Sequence, residues 1–189
     1  VHTIPVHDHD PRWVEWFAEL RDRLAPPLAG LPVTVEHVGS TSVPGCAAKP
    51  IIDVDVVMAD ASPLPEVIRR LVALGYRHEG DLGIVGRDAF EAPTGHPEHH
   101  LYAVVEGSRP HLDHVLLRNW LRTHPEDVHR YSQLKRKLGA RFAPDDEGHR
   151  SYLRAKSSLV EELLGQAYTG AGLVRGPGGT LASGEIRAP

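Results

Sequence analysis

Two aspartates one residue apart, Asp53 and Asp55, stand in the otherwise apolar run 51-IIDVDVVM-58. Carboxylates at i and i+2 of a strand share one face and stand about 6–7 Å apart at the backbone. Ionised that close, they repel each other unless a cation or guanidinium lies between them. Their side chains can converge on one hard cation. Oxygen-only ligation suits magnesium or manganese, which commonly completes its shell with substrate phosphates and water. Upstream, Gly39 lets the backbone approach a ligand closely, and Ser40 brings a hydroxyl to a helix start where N–H groups can receive phosphate oxygens. Thr41 extends the same turn. The competing reading makes Asp53 and Asp55 solvent-facing or arginine-paired acids, and Ser40 an ordinary helix cap. Every other residue from Ile51 to Met58 is apolar, which argues against a casual surface face.

The elements that must hold these groups follow from periodicity. Alternation over 51–58 puts Ile52, Val54 and Val56 on the face opposite the acids. The segment 33-VTVEHVG-39 reads as a strand ending at glycine, and 40–50 as a short turn or helix. A first helix spans 10–24, with Asp10 as cap, Pro11 at the first position and Trp13, Phe17, Leu20 and Leu24 on one face. The segment 25-APPLAGLP-32 should stop it. A helix over 62–75, a strand near 76–80, a hairpin-like piece over 83–92 and a strand over 99–106 follow. From residue 111 the pattern turns helical: 111–125, 126–142 with a stripe of Val128, Tyr131, Leu134 and Leu138, and about 147–167. The Gly-rich segment 169–189 reads as a loose tail, and its GPGG has neither a strand before it nor a helix after it. The expected fold class is α/β (α+β): one domain over 1–168, with a mixed sheet at about 30–107 and a helical bundle at about 111–167.

Composition narrows the function classes. At 189 residues and 41% hydrophobic content, the chain can fill one sizeable core. A formal net charge of −4 gives no global basic field, so a nucleic-acid partner is not expected. The lone Cys46 excludes an internal disulfide framework and a cysteine-based zinc cluster. No apolar run reaches the ~20 residues that span a bilayer, and VHTIPVHDHDPRW is not a signal sequence. No membrane association and a cytoplasmic location are the expectation.

The string 37-HVGSTSVPGCAAKPIIDVDVV-57, with 100-HLYAVVEGS-108, 118-RNWLRTHPED-127 and 131-YSQLKRKL-138, resembles the GrpB family. The resemblance covers about residues 10–165. That family has no well-defined function, occurs alone or fused to dephospho-coenzyme A kinase, and belongs to the nucleotidyltransferase superfamily of polymerase-β-like fold. The resemblance implies a nucleotidyltransferase-like mixed sheet with flanking helices, Gly39 and Ser40 at a triphosphate, and Asp53 with Asp55 at magnesium. Active members of the superfamily commonly carry a third carboxylate on a later strand. Here strand 99–106 offers His100 and Tyr102 instead, with Glu106 on their face at its far end. Arg118-Asn119 stands where the family more usually has Arg-Asp.

Thirteen histidines enlarge the pool of bases and ligands. His99 and His100 are adjacent in a strand and face opposite ways, so one ion cannot take both. His96 and His100 could meet across a loop with His37 as a third nitrogen, but no HExxH or cysteine pair supports zinc. His100 is the candidate general base, and His99 is expected to be exposed. Positive charge for phosphates is sought in Lys49, before the acid strand, and in Arg118, which shares a helix face with Arg122. Lys135 is expected to flank the cleft, and Arg154 and Lys156 to lie on the surface.

The leading expectation is a magnesium- or manganese-dependent nucleotidyltransferase-like enzyme acting on ATP or another nucleoside triphosphate and a small-molecule acceptor. A non-catalytic nucleotide-binding or interaction domain is the second. A histidine/carboxylate metal-dependent hydrolase or ligase is the third.

Overall fold

A computed structural model describes residues 3–95 and 97–175. Five strands form one mixed sheet: β1 (Val33–Val38), β2 (Ile52–Met58), β3 (Arg77–Gly80), β4 (Arg87–Glu91) and β5 (His99–Val105). Their order is β1-β2-β5-β4-β3, with β2 and β5 parallel and the other neighbours antiparallel. Five helices surround it: α1 (Arg12–Leu28), α2 (Leu64–Ala73), α3 (Arg109–Thr123), α4 (Pro125–Arg141) and α5 (Asp146–Gly170). A single 3-10 turn, Ser40–Ser42, follows β1. Among the described residues no helix is long and apolar enough to cross a membrane.

The two sheet faces meet different layers because β2 carries two different side-chain sets. Ile52, Val54 and Val56, all fully buried, meet Trp13, Leu20, Leu24 and Leu28 of α1 and Val67 and Leu71 of α2. Burial of each such side chain contributes about 1.5–3 kcal/mol before conformational entropy is subtracted. A second apolar cluster joins Leu121 of α3, Val128 and Tyr131 of α4 and Leu163 of α5 to Val43 and Cys46 of the loop before β2. That cluster fixes the helical layer beside the acid-bearing face.

Three boundaries differ from the sequence expectation. Helix α1 continues through Pro26 and Pro27 to Leu28, whose side chain belongs to the core. At its start the helix begins at Arg12 with Pro11 in the cap position, one residue later than expected, and Asp10 accepts the Arg12 N–H at 2.9 Å. Helix α5 runs on to Gly170, and Arg175 is anchored by Asp113 (Nε–Oδ1 3.0 Å, Nη2–Oδ2 2.8 Å) and by Glu161. The ordered chain therefore continues into the segment read as a tail, while 176–189, including GPGG, lies outside the described residues. Strand β5 ends at Val105, so Glu106 stands outside it.

Candidate active site between the acid face and the helical layer

The register of the sheet assembles the acid face. Val38, Asp53 and His100 are neighbours across β1, β2 and β5, and Glu36, Asp55 and Tyr102 form the next row. Asp53 and Asp55 thus share a face, and each meets an imidazole. His100 Nδ1–H donates to Asp53 Oδ1 at 2.8 Å, and His114 Nδ1–H of α3 donates to Asp55 Oδ2 at 2.8 Å. Asp55 is fully buried, and its Oδ1 has no hydrogen-bond partner.

Electrostatics follow from these contacts. Burial pushes the Asp53 carboxyl up, but the hydrogen bond and charge of His100, with His114 and Lys156 beyond, outweigh it and leave its pKa lowered. Burial likewise opposes charge on His114, yet Asp55 and Asp53 overcome it and raise the imidazole pKa. Tyr102 is pushed up to about 12, chiefly by burial and then by Asp53.

Gly39 shapes the pocket at the end of β1. Its φ is +70°, and a Cβ built there would stand 2.0 Å from Asp53 Oδ2. The bare Cα is the space in which the carboxylate lies. The following turn is held from behind: Arg118 Nη1 donates to the His37 carbonyl at 3.0 Å, and Arg122 Nη2 to the Ser42 carbonyl at 2.8 Å. Arg118 also pairs with Glu36 at 2.9 Å. It therefore braces the turn from behind rather than lining the cavity, unlike its expected place at a phosphate. Glu36 is a carboxylate on the acid face, but its charge is taken by this pair.

A cavity of about 760 Å³ opens between the acid face and the helices, lined by Ser40, Thr41, Lys49, Asp53, His100, His114, Lys135 and Lys156 among others. Lys135 is buried; its Nζ donates to Ser40 Oγ at 2.8 Å, contacts Cys46 Sγ at 3.2 Å, and lies 4.0 Å from the centre of the Tyr131 ring. Burial, first of all, lowers the pKa of Lys49 and of Lys156. Among the described residues none of the three lysines is ion-paired with a carboxylate. The Thr41 hydroxyl turns away to a 3.0 Å hydrogen bond with His37 Nε2.

Sequence reasoning missed His114 and misjudged Lys135 and Lys156. The buried positions of α4 run Val128, Tyr131, Lys135, Leu138. Lys135 thus occupies the stripe position assigned to Leu134, and its spacing of four from Tyr131 was the available signal.

The zinc set does not come together. His37 sits opposite Val54 in the register, on the other face from the acids, stacked on Phe17. His96 lies outside the described residues, and no group of three metal-ligating side chains occurs among the described ones. Asp53 and Asp55 nevertheless suit a hard divalent cation. Both are carboxylates, and the buried Asp55 Oδ1 lacks a protein partner.

His99 is buried, not exposed. Its Nδ1–H donates to the Pro97 carbonyl at 2.8 Å, which leaves Nε2 to accept from Tyr76 Oη at 2.8 Å. Burial lowers its pKa, as a neutral ring in this bridge requires. His99→Asn is expected to cost about 2 kcal/mol by orphaning one of these groups, read as a lower urea midpoint. A midpoint matching wild type would show that the bridge carries no stability.

Comparison with known proteins agrees with this architecture. In sequence, the chain is 31% identical over 153 residues to the UPF0157 protein YqkA of Bacillus subtilis, covering 81% of this chain and 44% of that protein. The match thus spans less than half of that relative. In structure, it resembles GrpB from Enterococcus faecalis with a TM-score of 0.76 at 28% identity, covering 88% of this chain and 99% of that one. A Cid1 poly(U) polymerase bound to MgATP shares the fold with a TM-score of 0.50 at 11% identity, covering 69% of this chain and 42% of that one. The fold is thus nucleotidyltransferase-like. The family model for the GrpB protein matches residues 3–166, and the chain belongs to the GrpB family.

Proposed function

We propose that the protein is a magnesium- or manganese-dependent nucleotidyltransferase that joins the nucleotidyl group of ATP or another nucleoside triphosphate to a small-molecule acceptor. One observation carries this reading: a single cavity sets Asp53, whose same-face neighbour Asp55 is buried beside it on β2, against three lysines with no carboxylate partner among the described residues. A carboxylate on one side and ammonium groups that no carboxylate neutralises on the other match a metal-bound polyphosphate. Asp53 and Asp55 would hold magnesium, which would supply neutralisation of phosphate charge.

The chain's own groups divide the remaining work. Lys135 positions the Ser40 hydroxyl, and Lys49 and Lys156 offer charge to phosphate oxygens. His100 gives its Nδ1–H to Asp53, so Nε2 is the nitrogen left to accept a proton. An acceptor oxygen or nitrogen bonds to the α-phosphorus, the bond from that phosphorus to the bridging oxygen breaks, and pyrophosphate leaves. The acceptor's proton passes to His100.

The test is thermal stabilisation by ATP with and without magnesium, in wild type, Asp53→Asn and Asp55→Asn. Stabilisation by preferential binding at a hundredfold excess over Kd is about 2.7 kcal/mol. Wild type is expected to gain it only with the metal, and both variants to lose most of it. Equal gains in all three proteins would rule the paired site out. A second reading, nucleotide binding without turnover, draws on β5, which presents His100 and Tyr102 where active relatives commonly have an acid. Metal-dependent stabilisation without pyrophosphate release across a panel of acceptors would favour it.

A further inference from the structure

A second cavity, of about 540 Å³, adjoins the first; Glu98, His100 and Tyr102 line both. Its distinguishing residue is Arg87 of β4, which stands beside Val104 of β5. The Arg87 guanidinium lies over the Tyr102 ring, with Cζ 4.6 Å from its centre. Its Nε is buried without an acceptor, and among the described residues the side chain has no hydrogen bond or ion pair. A guanidinium resting over an aromatic ring, with its donors unused, is organised for a planar oxyanion.

Charge selects among oxyanions. Two glutamates of this cavity, Glu79 and Glu91, are held by Arg77, and Glu98 adds a further negative charge at the shared wall. One arginine among these acids suits a monoanion better than a dianionic phosphate. A carboxylate also matches the guanidinium fork in two parallel hydrogen bonds.

We propose that this cavity is the acceptor subsite, and that Arg87 binds the carboxylate of a small hydroxy- or amino-carboxylic acid. His100 sits on the wall common to both cavities, between the carboxylate anchor and the phosphate chamber. An acceptor anchored at Arg87 brings its hydroxyl or amino group to the side of His100. The carboxylate site stands on Arg87 and Tyr102 alone; its assignment to an acceptor rests on the nucleotidyl-transfer reading.

The experiment titrates 13C-glycolate, with inorganic phosphate as competitor, into wild type, Arg87→Gln and Arg87→Lys by NMR. ATP-magnesium stabilisation is measured on the same preparations. Glycolate is expected to bind wild type, to bind Arg87→Gln at least tenfold more weakly, and to bind Arg87→Lys with intermediate strength, because lysine keeps the charge but not the fork. ATP-magnesium stabilisation should be the same in all three, which also certifies their folding. Glycolate affinity unchanged in Arg87→Gln, no binding to wild type, or displacement by stoichiometric phosphate would each overturn the carboxylate site. If glycolate binding depends on Arg87 but ATP-magnesium binds none of the proteins, the carboxylate site stands and the acceptor assignment falls.

Discussion

Replacing Gly39 with alanine is expected to destabilise the protein by about 2–6 kcal/mol and to abolish its response to ATP and magnesium. Two costs combine. At φ +70° and ψ −172° the backbone lies in a region essentially reserved for glycine, worth about 1–3 kcal/mol for any other residue. The new Cβ would also stand 2.0 Å from Asp53 Oδ2 and 2.7 Å from Asp53 Cγ, and forcing side chains apart in a packed site costs about 1–3 kcal/mol. The carboxylate must leave the position in which His100 holds it. A melting curve should show Tm lowered by roughly 5–15 °C for a chain of this size. Asp53→Ala added to Gly39→Ala should recover part of the loss, because it removes the nearest clashing atoms; strict additivity of the two changes would show that they do not interact. A Gly39→Ala protein that melts with wild type and still responds to ATP-magnesium would refute the cradle.

The second large effect is a pH dependence centred on His37. Burial foremost, with Arg122 and Arg118 nearby, holds its pKa down at about 4 against the pull of Asp53. The unfolded imidazole takes its proton near the ordinary value of 6.5, the folded one only near 4. Its contribution is therefore fully present above pH 6.5 and is lost as pH falls through 4, an amount of about 2–3 kcal/mol. Charging the ring also places a cation beside the arginines that brace the turn at Ser40–Ser42. His114 runs the other way, because its raised pKa favours the fold as pH falls. The difference between wild type and His37→Gln isolates the effect. Urea midpoints at pH 7 and pH 4.5 should show wild type losing more stability than the variant. Parallel losses in the two proteins would contradict a neutral buried His37.

Much of the sheet was legible because period-2 alternation leaves little freedom. In 51-IIDVDVVM-58 it put the acids on one face and Ile52, Val54 and Val56 on the other, as the register has it. The GSTSVPG and IIDVDV strings carried the family and the fold. The helical contribution was harder to read, since a few degrees of rotation decide whether a residue faces the cavity. Lys135 and Lys156 looked like flanking or surface residues beside apolar neighbours. Arg118 looked like a phosphate ligand, yet a carboxylate and a backbone carbonyl on β1 engage it. His99 could not be read as buried because its partner Tyr76 lies across a stretch containing β3 and β4. Arg87 gave no sequence signal at all; its isolation is a property of the folded neighbourhood.

The first cavity is made of two halves that the chain does not join directly. Asp53 and His100 ride on the sheet, whereas Lys135 and Lys156 ride on α4 and α5. A polyphosphate seated there acts as a clasp between layers. Any partial unfolding that lifts α4 and α5 from the sheet must first release the clasp, so occupancy raises the opening free energy of those helices specifically. Their amide protons would then be shielded from exchange far more than those of α1 and α2, which lie on the opposite face of the sheet and open without touching the ligand.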